Sequence, residues 1–348
     1  MIPSSDFFLK LNYLHKKKVS FVAFRFPGST TLECYNGKEL KVKNHTIPKV
    51  SGFIMMPFEK NNVGYFISNK KKFSTKMPQK SFKKNLLEVK KKQKQFNSNK
   101  KEYLRKVLKI KDLISKTELA KLVYSTNFEL DLIENNFDVC FTKLLSSHKR
   151  AFCYLFYIPK EGIWMGASPE SLLEIQDRKV STMALAGTKK KGIGTWGTKE
   201  IEEQKIVKDE IKKNLNPYCK NIKITEPSTM TAGKIDHLKT TISGITNNSP
   251  AEIINAIHPT PAVGGSPREK ALSIIKREES YNRSFYSGYL GKINDLNCKL
   301  FVNLRCAHFK KNKAKIFVGG GITEDSEAEK EWEEIINKSQ TILEALCD

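Results

Sequence analysis

The chain has 348 residues, with 61 Lys+Arg against 37 Asp+Glu, a formal net charge of +24, 39% apolar and 28% charged residues. This balance is too apolar for a disordered chain and too charged for a membrane protein, and the length suffices for a real core. No run of about 18 apolar residues occurs, so no transmembrane helix is expected, and Met1 to Lys10 lacks the basic-then-apolar layout of a signal peptide.

The seven cysteines (Cys34, Cys140, Cys153, Cys219, Cys298, Cys306, Cys347) are scattered and form no CxxC pair. A disulfide framework and a structural zinc site are therefore not expected; small buried side chains in a reducing cytoplasm are. The basic charge is almost all lysine, with only eight arginines. Base reading and buried phosphate sites favour the bidentate Arg fork, so this composition argues against a lysine-rich nucleic-acid-binding protein. Runs such as Lys16 to Lys18, Lys70 to Lys72, Lys90 to Lys92 and Lys189 to Lys191 read as solvated surface that could steer a small dianion inward.

In chain order, residues 1–70 read as short strands, with apolar runs at 21–26 and 53–58 and turns at Pro27-Gly28 and Asn36-Gly37. Residues 68–102 form a lysine-rich crossing or surface helix. Tyr103, Val107, Ile110 and Ile114 recur at helical spacing. A strand entry is expected over 116–126. Hairpins are predicted for 151–158 with 162–167 and for 171–175 with 179–186. A helix follows at 199–215. Residues 299–309 and 314–318 read as two strands of another hairpin, and 327–346 as the terminal helix. Hairpin strands with helices between groups indicate α+β with large antiparallel sheets.

Several residues stand out chemically. Phe317 to Ile322 carries three glycines after a strand, where backbone N–H groups could cradle an anion. Glu331, Glu334 and Lys338 share a helical face. This reads either as a surface Glu–Lys pair or as a metal carboxylate beside an ammonium for a substrate carboxylate. Glu203 lies on the apolar stripe of Val207, Ile211 and Leu215, which suits either a helix-start acid or a Mg²⁺ ligand paired with Glu334. Glu202 is rotated by about 100° from it. Glu170 follows a strand, and Lys121 sits among apolar neighbours. Burial can turn such a carboxyl into a general acid and such a lysine into a general base.

Together and in order, GASPESLLEI (166–175), ALAGTKKKG (184–192), KEIEEQKIV (199–207), IHPTPAVGGSP (257–267), ESYNRSFYSGYLG (279–291), FVNLRCAHF (301–309), KIFVGGGI (315–322) and EKEWEEIINKSQTIL (329–343) resemble the chorismate-utilising enzymes. This family includes isochorismate, salicylate, anthranilate and aminodeoxychorismate synthases. The resemblance implies α/β/β/α layers: two large antiparallel sheets packed face to face with helices outside, formed as one functional domain. In that domain 1–100 supply N-terminal strands and the crossing, and 101–348 the chorismate-binding catalytic region. It implies Mg²⁺ on Glu203 and Glu334, and Arg305, Gly319 and Lys338 on the substrate carboxylates. Gly187 and Tyr286 would line the ring pocket, with Ala262, Val263 and Leu304 as apolar wall and His258 facing the site. His237 matches a family histidine.

Three positions separate the reactions within the family. Lys121 matches the water-activating lysine. Ala186 stands where aminodeoxychorismate synthases carry lysine. Ala262 stands where salicylate synthases tend to carry threonine. The resemblance thus implies an isochorismate synthase, with salicylate synthase as the rival. Lys121 would be the base and Glu170 the acid, in a cytoplasmic monomer serving menaquinone or siderophore synthesis. Chorismate would be its small-molecule partner, with no nucleic acid and no membrane.

Overall fold

A computed structural model describes residues 1–44, 46–77, 92–132, 136–192 and 194–346. Elements are numbered along the chain. The N-terminal strand β1 (Phe21–Arg25) is apolar at four consecutive positions, and all five residues are buried. An uninterrupted apolar strand needs cover on both faces. Phe21 and Ala23 face one core, shared with helices; Val22 and Phe24 face another, shared with a second sheet. The same alternation recurs in β8 (Phe152–Ile158), where Cys153, Leu155 and Tyr157 face the helices and Phe152, Tyr154 and Phe156 face the opposite sheet.

Four layers follow from this. The first sheet has nine strands among the described residues. Its order is β15 (Gly265–Ser266), β7 (Lys121–Asp131), β19 (Lys313–Ile322), β18 (Cys306–Lys310), β9 (Gly162–Ser168), β8, β1, β2 (Thr31–Asn36) and β6 (Lys72–Lys76). The second has ten. It runs β12 (Lys220–Ile224), β14 (Ile235–Ile245), β11 (Lys179–Lys190), β10 (Ser171–Gln176), β17 (Cys298–Val302), β16 (Tyr289–Ile293), β4 (Gly52–Met56), β5 (Gly64–Ser68) and β3 (Leu40–Val42), and β13 (Ser228–Ala232) also pairs with β14. The strand pairings are antiparallel, as expected from the hairpin pattern. An aromatic core that includes Phe24, Phe53, Phe152 and Trp164 fills the space between the sheets. Phe152 stacks on Phe301 across it at 4.2 Å and 3°.

Helices cover the outer faces. Helices α1 (Ser4–Lys16), α2 (Lys92–Ser115), α3 (Phe137–Ser147), α6 (Arg268–Glu278) and α7 (Ala328–Leu346) pack on the first sheet. The helices α4 (Thr198–Leu215) and α5 (Pro250–Ile257) pack on the second. Tyr103, Val107, Ile110 and Ile114 are the buried stripe of α2, as their spacing predicts. No helix of the described residues is long and apolar enough to cross a membrane. The six described cysteines are free and buried; Cys347 lies outside the described residues. So does the middle of the lysine-rich stretch, at 78–91, while 92–102 begin helix α2.

Three readings need correction. Residues 4–16 are helical, because Phe7, Leu11 and Leu14 fall on one face and are buried. Residues 299–309 are not one strand. The chain leaves the second sheet at Val302 and enters the first at Cys306, turning on Arg305 with φ +49°. The glycines 319–321 form no nest; they continue β19 in register with Ser125, Tyr124 and Val123 of β7.

Candidate active site

The chain also crosses between the sheets at Ser168–Pro169–Glu170, from β9 to β10, one of several such crossings. This crossing and the one between Val302 and Cys306 are bonded to each other: the Val302 amide donates to Glu170 O at 3.0 Å, the Ala167 amide donates to Arg305 O at 3.1 Å, and Ser168 Oγ donates to Val302 O at 2.5 Å. Glu170 and Arg305 are thereby set side by side where the sheets part. The opening between them is a cavity of about 640 Å³. Its lining includes Lys121, Glu170, Gly187, Glu203, Ala262, Val263, Tyr286, Leu304, Arg305, Gly319 and Lys338, which are eleven of the residues singled out from the sequence.

Glu170 is buried, and its Oε1 has no hydrogen-bond partner among the described residues. Burial pushes its carboxyl up to about 8, against the pull of Lys121 and Lys338. At neutral pH it is therefore an acid that still holds its proton. Lys121 opens β7, is 1% exposed, and its Nζ lies 2.8 Å from Glu203 Oε1. Glu203 is buried on α4 in line with Val207, Ile211 and Leu215, whereas Glu202 is exposed. The Lys121–Glu203 contact passes over Gly321. A Cβ there would run into Glu203 Oε1 and approach Lys121 Cε to 2.8 Å. Likewise a Cβ on Gly320 would lie 3.2 Å from Glu331 Oε2, and one on Gly319 would lie 3.0 Å from the Tyr286 hydroxyl. Gly320 and Gly321 make room for carboxylates and Gly319 for the Tyr286 hydroxyl, rather than cradling an anion themselves.

Arg305 is buried, and its hydrogen bonds run to neutral groups. Its Nη2 donates to His237 Nε2 at 3.1 Å and its Nη1 to Thr341 Oγ1 at 3.4 Å. No carboxylate forms an ion pair with it among the described residues. Because Nε2 of His237 accepts from Arg305, its Nδ1 carries the proton, which it can donate to Gly187 O at 3.1 Å. Burial and the Arg305 charge push His237 down to about 3, so the ring stays neutral. Burial lowers the Arg305 guanidinium to about 10, leaving it charged at neutral pH. A buried cation with no anion is half of an ion pair.

Helix α7 supplies the other charges. Lys338 Nζ donates to Gly319 O at 3.1 Å and to Glu334 Oε1 at 2.5 Å. Glu334 does not itself line the cavity; it positions Lys338 from one turn away. Burial works against Glu334's charge, yet Lys338 and Lys199 hold its carboxyl below the usual range. Its neighbour Glu331 shifts the opposite way. Burial and the adjacent Glu334 charge push Glu331 up to about 7. Glu331 Oε1 accepts from Lys199 at 2.5 Å and from Ser326 at 2.7 Å, while its Oε2 has no hydrogen-bond partner among the described residues.

Lys199 went unnoticed in the sequence, although a lysine in the first turn of a helix opposes the helix dipole and so signals a local anion. Phe317, which stacks on Tyr286 at 5.5 Å and 15°, also lines the cavity without a sequence signal beyond its apolar strand. His258 departs from expectation. It does not line this cavity; its ring packs edge-on against Tyr289 at 5.1 Å and borders a separate groove beside α6. The two residues of the same motif that do reach the cavity are Ala262 and Val263.

Gly187 has φ +72° at a bulge between Ala186 and Thr188, and a Cβ on it would come 2.9 Å from Glu200 O. Gly187→Ala should destabilise the protein by about 1–3 kcal/mol, read as a lower denaturant midpoint. An unchanged midpoint would mean that the bulge relaxes freely.

A chorismate binding enzyme family model covers residues 54–347. The chain belongs to the chorismate-binding enzyme family. Isochorismate synthase MenF of Escherichia coli (strain K12) is 31% identical over 201 residues, covering 54% of this chain and 47% of that protein. Anthranilate synthase component 1 of Lactococcus lactis is 27% identical over 255 residues, 68% of this chain and 56% of that one. The chain spans about half the length of the curated relatives it matches. DhbC of Bacillus anthracis superposes with a TM-score of 0.82 at 24% identity, covering 98% of this chain and 99% of that one, which shows that the two share a fold. The two large sheets with flanking helices are thus this family's architecture.

Proposed function

We propose that the protein is an isochorismate synthase, converting chorismate to isochorismate by adding water at C2 and expelling the C4 hydroxyl. The observation that carries this reading is the pairing, in one cavity, of a protonated buried acid, Glu170, with a buried amine, Lys121, beside the unpaired cation Arg305. Relatives such as MenF lend the reaction class.

The steps follow from those groups. Arg305 and Lys338 bind the substrate carboxylates, the former through its bidentate fork. Tyr286, Phe317, Val263 and Leu304 enclose the ring and keep bulk water out. Lys121 as free amine takes a proton from the water whose oxygen bonds to C2. The ring double bonds shift, and Glu170 gives its proton to the departing C4 oxygen. One proton is taken and one given, with no redox change. Taking a proton requires the free amine, and Glu203 is the residue that holds the ammonium here.

Mg²⁺ fits the residues present. Among the described residues no three His, Cys, Asp or Glu side chains are gathered at metal-binding distance. Mg²⁺, however, asks for only one or two carboxylates beside waters and substrate oxygens. Glu203 and Glu334 would hold it. Each now carries a lysine ammonium, and neighbouring Glu331 keeps a bare oxygen. When bound, the ion would add positive charge at the substrate's ring carboxylate.

Incubating the protein with chorismate and Mg²⁺, with and without ammonium, and separating the products by liquid chromatography tests the reading. Isochorismate is expected as the main product. Salicylate with pyruvate would move the protein to the salicylate synthases despite Ala262. An aminated product formed only with ammonium would overturn the role of Lys121.

A further inference from the structure

A second cavity, of about 1510 Å³, lies outside the first and shares two residues with it, Pro169 and Arg305. Arg305 is the partition. Its Nη2 bonds to His237, which lines the inner cavity, and its Nη1 bonds to Thr341, which lines the outer one. The outer cavity is one-signed in charge. Lys149, Arg150 and Lys191 stand exposed around it with Arg305 at its floor, and no acidic residue lines it. Its charged neighbours include Glu344, which is engaged by Lys234 at 2.5 Å, and Asp236, which accepts from Thr231 at 2.7 Å and from the Gly192 amide at 3.2 Å and feels the Lys191 charge. His148 also lines it, but burial and the Arg305 charge push that ring's pKa down, so it adds no charge at neutral pH. One wall is β13, where Met230 pairs directly with His237. None of the three exposed cations makes an ion pair among the described residues, although Lys191 lies within electrostatic reach of Asp236.

We propose that this basic vestibule is a capture site for the substrate, a small dicarboxylate, which is attracted by Lys149, Arg150 and Lys191 and passed to Arg305. The inference rests on the isochorismate synthase reading for its ligand. A concave, single-signed field with low-dielectric walls concentrates counter-ions and raises association rates, and salt weakens it. Part of the lysine-rich composition is therefore functional at this mouth.

The test uses stopped-flow tryptophan fluorescence on mixing with chorismate, since Trp164 stacks on Phe317 of the inner cavity wall at 5.2 Å. The variant K149E/R150E/K191E should associate about tenfold more slowly at low salt and within about twofold of wild type at 0.5 M salt, with kcat unchanged. A control of equal charge change, K38E/K41E/K43E, alters exposed lysines about edge strand β3, six strands from β11. It should stay close to wild type. Equal slowing of the two triple variants would overturn the proposal, because net charge and not the vestibule would then be acting. A fall in kcat in the vestibule variant would also overturn it, marking these residues as structural. The two readings separate cleanly. A wild type that quenches on mixing but forms no product defeats the isochorismate reading, while the rates still decide the vestibule. A wild type that neither quenches nor turns over defeats both.

Discussion

Lys121→Ala should lower kcat by about 10²–10⁴-fold while chorismate still binds within a few-fold of the normal affinity. The argument is local. Lys121 is almost fully enclosed, and its amine faces Glu203 across Gly321 at the cavity floor. Arg305 and Lys338, the cations proposed to bind the substrate carboxylates, are separate groups lining the same cavity, so substrate capture should survive. Removing the ammonium also strands the buried Glu203 carboxylate, which could itself unsettle the fold. Lys121→Arg removes that ambiguity, since a guanidinium keeps the ion pair but cannot serve as a base near neutral pH. Both variants should be inactive and both should bind substrate, as measured by fluorescence titration. Near-normal turnover in Lys121→Arg would exclude this residue as the base.

Glu170→Gln should cost a comparable factor, about 10²–10⁴-fold in kcat, because the amide matches the carboxyl in shape but has no acidic proton to give. The wild-type rate should fall as pH rises through about 8, where the acid loses its proton, and the variant's residual rate should lack that limb. The sign of the stability effect follows from the same burial. The folded pKa of Glu170 is raised above its ordinary 4.5, so its contribution to stability is full below 4.5 and is lost as pH rises through about 8. Glu170→Gln should therefore gain thermal stability relative to wild type as pH is raised from 5 to 9. Glu331, raised to about 7, keeps its own similar dependence in both proteins. A wild-type rate that is flat to pH 10 would show that Glu170 is not the acid.

Much of the site was legible because its chemistry is written in individual residues. Glu203 was found from its place on an apolar stripe, and its burial beside an exposed Glu202 is what a helical period of 3.6 requires. What was missed depended on long-range geometry. The stretch 299–309 keeps an apolar pattern straight through the crossing between sheets. At the crossing only a buried Asn303, bonded to Tyr154 and Phe285, and the left-handed Arg305 break it, and a lone Asn without Gly or Pro beside it is a weak turn signal. The glycines of β19 were read by their usual preference for turns, yet the β7 ladder holds them extended and their value lies in the missing side chains. His258 shares a motif with Ala262 and Val263. Its position at the end of α5 nevertheless sends its ring to Tyr289 instead of the cavity.

The interleaving of the two sheets also bears on synthesis. Strand β1 pairs with β8 about 130 residues later, and Met56 of β4 waits for Tyr289 of β16, 233 residues further on. At about 5–20 residues per second, that second wait on the ribosome is on the order of 10–50 s. Throughout it, β4 can pair with β5 on one edge, but its other edge and its buried faces lack the rest of the sheet. Such high contact order makes folding slow and exposes sticky strands while it proceeds. A truncation before β16 should therefore yield an aggregating product in place of a smaller folded protein.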